Sequence, residues 1–203
     1  MEKPLASYQN LTDTRQMSEN TYFADQFLIA MPQMADPNFH KSVTYLCEHN
    51  AEGAMGITIN RPMDMTVGEM LGQINIPVLD ERLHNKQLLL GGPVQPERGF
   101  VLHSPASEWD SSLQISKDIS LTSSGDILQA IGENQGPDKF LIVLGYAGWG
   151  AGQLEKEIIE NTWLNGPADH KIIFDSKFNE RWAQAAETIG IDLEKLSTLS
   201  GHA

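Results

Sequence analysis

Glycine and aromatic residues are concentrated in one stretch of the chain, positions 145–155, which reads Gly-Tyr-Ala-Gly-Trp-Gly-Ala-Gly-Gln-Leu-Glu. The apolar run 140–144 precedes it and a helical pattern follows it, so we expect a turn from a strand into a helix. Because glycine has no side chain and tolerates positive φ, such a turn can bring backbone amides close to a bound molecule. The candidate ligand-binding residues of this turn are Gly145, Tyr146, Gly148, Trp149, Gly150, Gln153 and Glu155.

The same turn has a second interpretation, in which its glycines only allow the chain to pack beneath Trp149. The stretch resembles the dinucleotide-binding pattern Gly-x-Gly-x-x-Gly, but Gln153 stands where the third glycine is required. Glu155 and Glu157 also lie at the positive end of the helix dipole, where a pyrophosphate would bind. We therefore expect either a structural turn or a pocket for a small neutral or cationic group.

Two further segments could line the same pocket. Gly91 and Gly92 separate two apolar runs, and their simpler interpretation is a tight turn between two strands. Asn60 and Arg61 follow a predicted strand, and their amide and guanidinium groups could together hold a carboxylate. An acidic side chain shortly after them in the chain could equally hold this loop.

A catalytic nucleophile could come from Cys47, which is the one cysteine of the chain. Cys47 and His49 are two positions apart on a predicted strand, so their side chains should lie parallel on one face. A base would therefore have to arrive through the fold, as His40 or His103. Patterns typical of zinc sites, serine hydrolases, P-loop NTPases and β-lactamases are absent from the sequence. We predict no catalytic residue, no metal and no cofactor.

The composition is that of a globular, acidic protein. Of its 203 residues, 27 are acidic and 14 are basic, which gives a formal net charge of −13. This charge repels a phosphate backbone, and the basic residues are scattered, so direct nucleic-acid binding is not favoured. No apolar run approaches the ~20 residues that cross a bilayer, and the N-terminus does not resemble a secretory signal. We expect a cytoplasmic protein without a membrane partner.

The periodicity predicts a mixed arrangement of strands and helices. Residues 1–20 show no sustained pattern and are expected to form a flexible tail, followed by one domain over residues 21–203. Strands are expected near 23–30, 42–49, 54–60, 88–90, 100–102, 113–115, 119–121, 140–144 and 170–174. Helices are expected after Thr66 and Ser124, at about 152–161, 178–189 and 192–196. Early hairpins and irregularly placed helices favour an α+β fold over a regular βαβ array.

Many segments of the chain, in order, resemble the AlgH/YqgE family of bacterial proteins. The resemblance runs from about residue 25 to the C-terminus, and only the N-terminal tail departs from it. It is carried by 27–32, 39–43 with 46–49, 56–62, 91–94, 144–149 with 152–155, and the final Gly201-His202-Ala203.

The resemblance implies an α+β fold in which a bifurcated sheet closes into a pseudo-barrel flanked by helices. It brings no established catalytic residues. Family members are sometimes labelled transcriptional regulators of alginate synthesis, but this sequence has no helix-turn-helix pattern. Any regulatory effect is therefore expected to be indirect.

Three functional hypotheses follow. The leading one is a non-enzymatic module that binds a small molecule or a protein through segments 60–62, 91–92 and 145–155. The alternative is a hydrolase or transferase that uses Cys47 with a histidine, and the weaker alternative is a DNA-binding regulator. The shared site of the leading hypothesis is wrong if the three segments lie far apart, with Tyr146 and Trp149 buried in separate places.

Overall fold

The structure is a computed structural model that describes residues 22–193 of the chain. Within this range the strands are β1 (Gln26–Ala30), β2 (Val43–Asn50), β3 (Gly53–Thr58), β4 (Pro62–Thr66), β5 (Gln87–Leu90), β6 (Val94–Ser104), β7 (Ser112–Gln114), β8 (Ser120–Thr122), β9 (Lys139–Gly150) and β10 (Trp163–Pro167). The helices are α1 (Val67–Gln73), α2 (Gly125–Gly132), α3 (Gln153–Ile159), α4 (His170–Phe174) and α5 (Arg181–Glu187), with a short 3₁₀ helix at Glu81–His84.

One sheet contains all of these strands and forks at β9. The main path is β10-β1-β2-β3-β9-β6-β8-β7, and β4 and β5 form a branch. Along one edge of β9, the partner changes from β5, which pairs in parallel up to Leu144, to β3, which pairs antiparallel from Ala147. The sheet curls into a half-barrel with helices around it. The predicted α+β fold with a bifurcated sheet is confirmed.

Three hydrophobic clusters hold this sheet together. The largest lies between the curled sheet and helices α4 and α5, and it includes Phe27, Tyr45 and Val143. A second cluster joins the forked part of the sheet to α1 and α2. The third contains Trp149 and Trp163 and packs against α3. Because β9 contributes to all three clusters, its apolar run is buried on both faces, as its sequence predicts.

Several local predictions are confirmed by hydrogen bonds. The Thr66 hydroxyl accepts from the Glu69 amide, and the Glu69 carboxylate accepts from the Thr66 amide, which completes the capping box of α1. Strands β2 and β3 form the predicted hairpin. Helix α2 begins directly after Ser124.

The predicted strand at 170–174 is wrong, because these residues form helix α4. The Asp169 carboxylate accepts from the amides of Lys171 and Ile172, which caps the first turn of a helix. The buried residues Ile172 and Ile173 are compatible with either structure in so short an apolar run. The neighbouring strand β10, which the sequence analysis missed, pairs instead with β1.

The turn into α3 lies later in the chain than predicted. Strand β9 continues through the glycine-rich stretch to Gly150, since β3 pairs with Ala147 to Gly150 and supplies the partners for its backbone. The chain turns only at Ala151 and Gly152, where Gly152 has φ of 73°. The simple turn expected at Gly91 and Gly92 is also absent, because β5 and β6 pair with opposite edges of β9 and not with each other.

Two predictions fall outside the described residues. They are the flexible tail over 1–20 and most of the helix over 192–196. Among the helices of residues 22–193, none is both long and apolar enough to cross a membrane.

Candidate functional site

A small cavity lies where strand β9 turns into helix α3. It has a volume of about 240 Å³. We call it the aromatic cavity, and its lining residues are Met34, Asp36, Phe39, Pro93, Gly148, Trp149, Gln153, Glu157, Thr162 and Trp163. The lining thus combines the end of β9, helix α3, the start of β10 and the loop after β1.

Three aromatic side chains pack against one another at this cavity. The ring of Phe39 lies 5.3 Å from that of Trp163 and 6.3 Å from that of Trp149, measured between ring centroids. The two indoles meet edge to face at 6.0 Å. Trp149 and Trp163 are 7% and 2% exposed, so the cavity has rigid aromatic walls that already belong to the core.

The Glu157 carboxylate organises these walls. Its Oε2 atom accepts hydrogen bonds from the indole Nε1 atoms of both Trp149 and Trp163, each at 2.9 Å. Its Oε1 atom accepts from Nε2 of Gln153 at 2.8 Å, and Oε1 of Gln153 accepts from the Gly150 amide at 3.0 Å. One carboxylate on α3 therefore fixes two indoles and, through Gln153, the turn itself.

The charged side chains that line the aromatic cavity are acidic. Asp36 and Glu157 are the charged side chains of its lining. Asp36 accepts a hydrogen bond from the Asn38 amide at 2.8 Å. Neither carboxylate forms an ion pair with any residue of the described part of the chain. The electrostatics of the site favour a cationic or neutral occupant over an anion.

Three of the predicted glycines serve the packing of main chain on main chain. The Gly91 amide donates to the Leu144 carbonyl at 2.7 Å. A Cβ atom on Gly91 or on Gly145 would lie 2.4 Å from a carbonyl oxygen of the opposite segment, and Gly145 has φ of 70°. Gly92 is equally close to Tyr146. Segments 91–92 and 145–147 therefore contact each other directly, main chain against main chain.

Asn60 and Arg61 hold a neighbouring loop by their side chains. Asn60 accepts from the Val43 amide and donates to the Lys41 carbonyl, each at 2.9 Å. Nη2 of Arg61 donates to the His40 carbonyl at 2.6 Å. Neither residue lines the aromatic cavity, and neither interaction is with the acidic side chains considered from the sequence.

Tyr146 and Trp149 lie in different clusters. The Tyr146 ring contacts Phe100 edge to face, at 6.0 Å, beside the largest core cluster. Trp149 belongs to the third cluster. Of the predicted residues, Gly148, Trp149 and Gln153 line the aromatic cavity. Ligand binding by any of them stays a prediction.

Glu155 is engaged next to the aromatic cavity and not in its lining. Nδ1 of His49 accepts from the Phe23 amide at 3.0 Å, so Nε2 carries the proton and donates to Glu155 at 3.0 Å. This pair ties α3 to the end of β2.

Sequence reasoning missed the residues that arrive from elsewhere in the chain, above all Phe39 and Trp163. The spacing of Gln153 and Glu157, one helical turn apart, was an available signal that both face the same side of α3. No periodicity connects that face to the loop after β1.

Cys47 is enclosed in the protein. It is 3% exposed, and its thiol donates to the Tyr45 carbonyl at 3.6 Å. Burial raises the pKa of the Cys47 thiol far above its usual range. A bulge between Leu46 and Glu48 interrupts the alternation of β2. Cys47 therefore faces the largest cluster while His49 contacts α3, so the expected common face is wrong.

The other candidate bases are also engaged. His103 is fully buried, where Nε2 contacts the Thr122 hydroxyl at 2.9 Å and Nδ1 contacts the Pro105 carbonyl at 3.3 Å. His40 contacts the Met34 carbonyl at 3.2 Å. Among residues 22–193, no group of three or more histidine, cysteine or acidic side chains could hold a metal ion.

Comparisons with known proteins agree with the resemblance read from the sequence. The model of the AlgH-like family matches residues 27–194. A UPF0301 protein of Methylococcus capsulatus is 48% identical over 185 residues, which cover 91% of this chain and 98% of the relative. A UPF0301 protein of Xanthomonas campestris pv. campestris is 50% identical over 183 residues, which cover 90% and 97%.

Two solved structures have a similar fold. The solution structure of the AlgH protein from Pseudomonas aeruginosa matches with a TM-score of 0.74 and 46% identity, over 93% of this chain and 100% of that one. A crystal structure of a protein from Corynebacterium diphtheriae matches with a TM-score of 0.70 over 88% and 93% of the two chains. At 20% identity, the second likeness concerns the fold alone. The names of these proteins state no ligand and no reaction.

Proposed function

The chain belongs to the AlgH-like family, and on this premise we propose that it is a non-enzymatic protein of the bacterial cytoplasm that binds a small ligand in the aromatic cavity. The observation that carries this proposal is the set of Phe39, Trp149 and Trp163 around a cavity of about 240 Å³, fixed by Glu157. Binding sites of small molecules are typically concave, aromatic and preformed, with a few fixed polar groups. The cavity volume of about 240 Å³ lies just below the usual range of such sites, about 300–1,000 Å³, so it fits a compact ligand.

The burial of Cys47 supports a binding role over a cysteine-based reaction. Cys47 is buried, and burial raises its pKa, so the thiolate that would attack a substrate is disfavoured. His49 and His103 each have hydrogen-bond partners other than Cys47. The geometry of the described residues thus offers no pair of nucleophile and base around Cys47.

Any effect on gene expression would be indirect. The four arginines within residues 22–193 are engaged in separate places: Arg61 holds His40, Arg82 pairs with Asp80, Arg98 lies over Phe100, and Arg181 is buried. With a net charge of −13, this arrangement does not favour a phosphate backbone. Titration with duplex DNA over a range of salt concentrations should show no salt-dependent binding.

A nuclear magnetic resonance titration tests the ligand site. Protein labelled with ¹⁵N is mixed with a panel of small organic molecules of mixed charge. We expect the indole Nε1 signals of Trp149 and Trp163 and the amide signal of Gly148 to move together, because these groups surround the aromatic cavity. The indole of Trp182 should stay in place, since it donates to the Ala30 carbonyl elsewhere.

A pair of matched variants separates the aromatic cavity from the rest of the surface. Phe39→Ala removes one cavity wall and should weaken binding about tenfold or more. Phe178→Ala makes the same chemical change in a different cavity, lined by Asn60 and residues 176–179, and should leave binding unchanged. Equal losses in both variants, or shifts centred on Phe178, would place the ligand elsewhere. A panel without any shift would contradict the proposal.

A further inference from the structure

We infer that the ligand of the aromatic cavity is a small organic cation with an alkylammonium head group. This inference rests on the proposed function and adds the chemical class of the ligand. Its basis is the charge of the cavity lining, the acceptor capacity of Glu157 and the aromatic walls.

The charge of the cavity lining determines the sign of the charge that the ligand should carry. Asp36 and Glu157 contribute two carboxylates, and the other eight lining residues carry no charge. Neither carboxylate has an ion-pair partner within the described residues. Glu157 is half-buried and Asp36 is exposed. Charges that are partly shielded from water interact more strongly than exposed ones, so a cation beside Glu157 gains attraction and an anion meets repulsion.

The hydrogen bonds of Glu157 leave room for one more donor. A carboxylate offers about four acceptor positions. Donors from the described residues use three of them, two on Oε2 by the indoles of Trp149 and Trp163 and one on Oε1 by Gln153. All three donors are neutral, so they fix the orientation of the carboxylate without neutralising its negative charge. The remaining acceptor position on Oε1 can receive a hydrogen bond from an N–H group. It can also lie against the positively charged methyl groups of a quaternary ammonium.

The aromatic walls select an organic cation over a metal ion. Ring faces attract ammonium groups, and the attraction is larger where the site excludes water. Mg²⁺ and Ca²⁺ require several oxygen ligands, and Mg²⁺ releases its water reluctantly. No suitable group of three acidic, histidine or cysteine side chains occurs within residues 22–193. Phe39, Trp149 and Trp163 therefore point to a weakly hydrated head group.

Two pairs of probes test whether the ligand is a cation. The members of each pair have nearly the same shape and differ in charge. Choline is compared with 3,3-dimethylbutan-1-ol, and butylammonium with butan-1-ol, each by titration of the Trp149 and Trp163 indole signals. We expect the ammonium member of at least one pair to bind about tenfold more tightly than its alcohol. Sodium chloride at the same ionic strength is added to the alcohol titrations, which removes general salt effects.

Variants that each remove one negative charge show which carboxylate attracts the cation. Glu157→Gln keeps a carbonyl oxygen for the indoles but removes the charge, and Asp36→Asn removes the charge of the exposed lining carboxylate. Glu157→Gln should weaken ammonium binding about tenfold more than it weakens alcohol binding, and Asp36→Asn, at an exposed position, should have a smaller effect of the same sign. Glu160→Gln is the matched control, because Glu160 lies one residue after α3, forms an ion pair with Lys156 and does not line the cavity. It removes the same charge and should have no effect.

The outcomes distinguish this inference from the proposed function. Alcohols that bind as tightly as their ammonium partners would overturn the cationic class, while the small-ligand function would stand. Equal weakening by Glu160→Gln and Glu157→Gln would also overturn it, because the attraction would then be general. If neither pair moves the indole signals, the inference fails, and the function fails with it only when the whole mixed panel is also silent.

Discussion

Gly92 and Tyr146 are in main-chain contact, and a Cβ atom on Gly92 would lie only 2.1 Å from the carbonyl carbon of Tyr146. This contact lies where the sheet forks, because β5 ends at Leu90 and β9 changes partner at the same level. The glycines of this region thus hold the fork together. They position the strand that ends in the aromatic cavity, even though they do not line it.

Gly92→Ala should destabilise the protein by about 1–3 kcal/mol, because the added methyl group forces two backbones apart. The free energy of unfolding measured with urea checks this. Gly72→Ala is the control, since no heavy atom lies within 4 Å of the added Cβ and the residue is within α1. Alanine should stabilise that helix by up to about 1 kcal/mol. A Gly92→Ala protein as stable as the parent would contradict the packing role.

Glu157→Ala should destabilise the protein by about 1–3 kcal/mol, because two indole N–H groups lose their shared acceptor. Thermal unfolding followed by tryptophan fluorescence measures the loss and reports on the affected indoles directly. Glu160→Ala removes a carboxylate just beyond the end of the helix and should change stability by less than about 0.5 kcal/mol. Similar losses for the two variants would show that Glu157 does not organise the cavity walls.

The stability of the protein should fall in acid through His103. Burial lowers the pKa of His103, so the folded state binds a proton less readily than the unfolded state. The contribution of His103 to the free energy of unfolding is therefore complete above the unfolded-state pKa of about 6.5. It decreases as the pH falls below that value. Because the Pro105 carbonyl only accepts, Nδ1 holds the proton and Nε2 accepts from Thr122. A proton on Nε2 would force the Thr122 hydroxyl to change from donor to acceptor in that bond.

Urea unfolding at a series of pH values from about 7.5 to 5 measures the effect of His103. His103→Gln should flatten the pH dependence in this interval, whatever its effect on stability at neutral pH. His84→Gln, at an exposed position, should leave the dependence unchanged. An unaltered slope in His103→Gln would mean that this residue does not carry the acid sensitivity.

The Cys47 thiol should be almost unreactive in the folded protein. It is 3% exposed, and burial raises its pKa, so few thiolates form near neutral pH. A colourimetric thiol reagent at pH 8 should label it slowly in buffer and at once in concentrated urea. The rate should follow the unfolding transition. Rapid, stoichiometric labelling of the native protein would revive the hypothesis of a cysteine enzyme.

The sequence by itself determined the structures that depend on near neighbours. The capping box at Thr66 and Glu69 is confirmed, because both partners lie within one helical turn. The hairpin of β2 and β3 is confirmed for a similar reason, since its strands are joined by a short polar turn. The α+β class followed from the periodicity, and the forked sheet followed from the resemblance of many ordered segments to one family.

Only the tertiary structure decided the contacts between segments that are distant in the chain. Residues 170–174 have the composition of a strand, yet Asp169 caps them as a helix and the edge beside β1 is occupied by β10. The bulge at Cys47 places His49 on the face of β2 opposite to the one that alternation predicts. In the aromatic cavity Phe39 contacts Trp163, which is far away in the chain, and one carboxylate on α3 holds the indoles of Trp163 and Trp149. Local periodicity does not encode such contacts, because they form only when the curled sheet brings its separate clusters together.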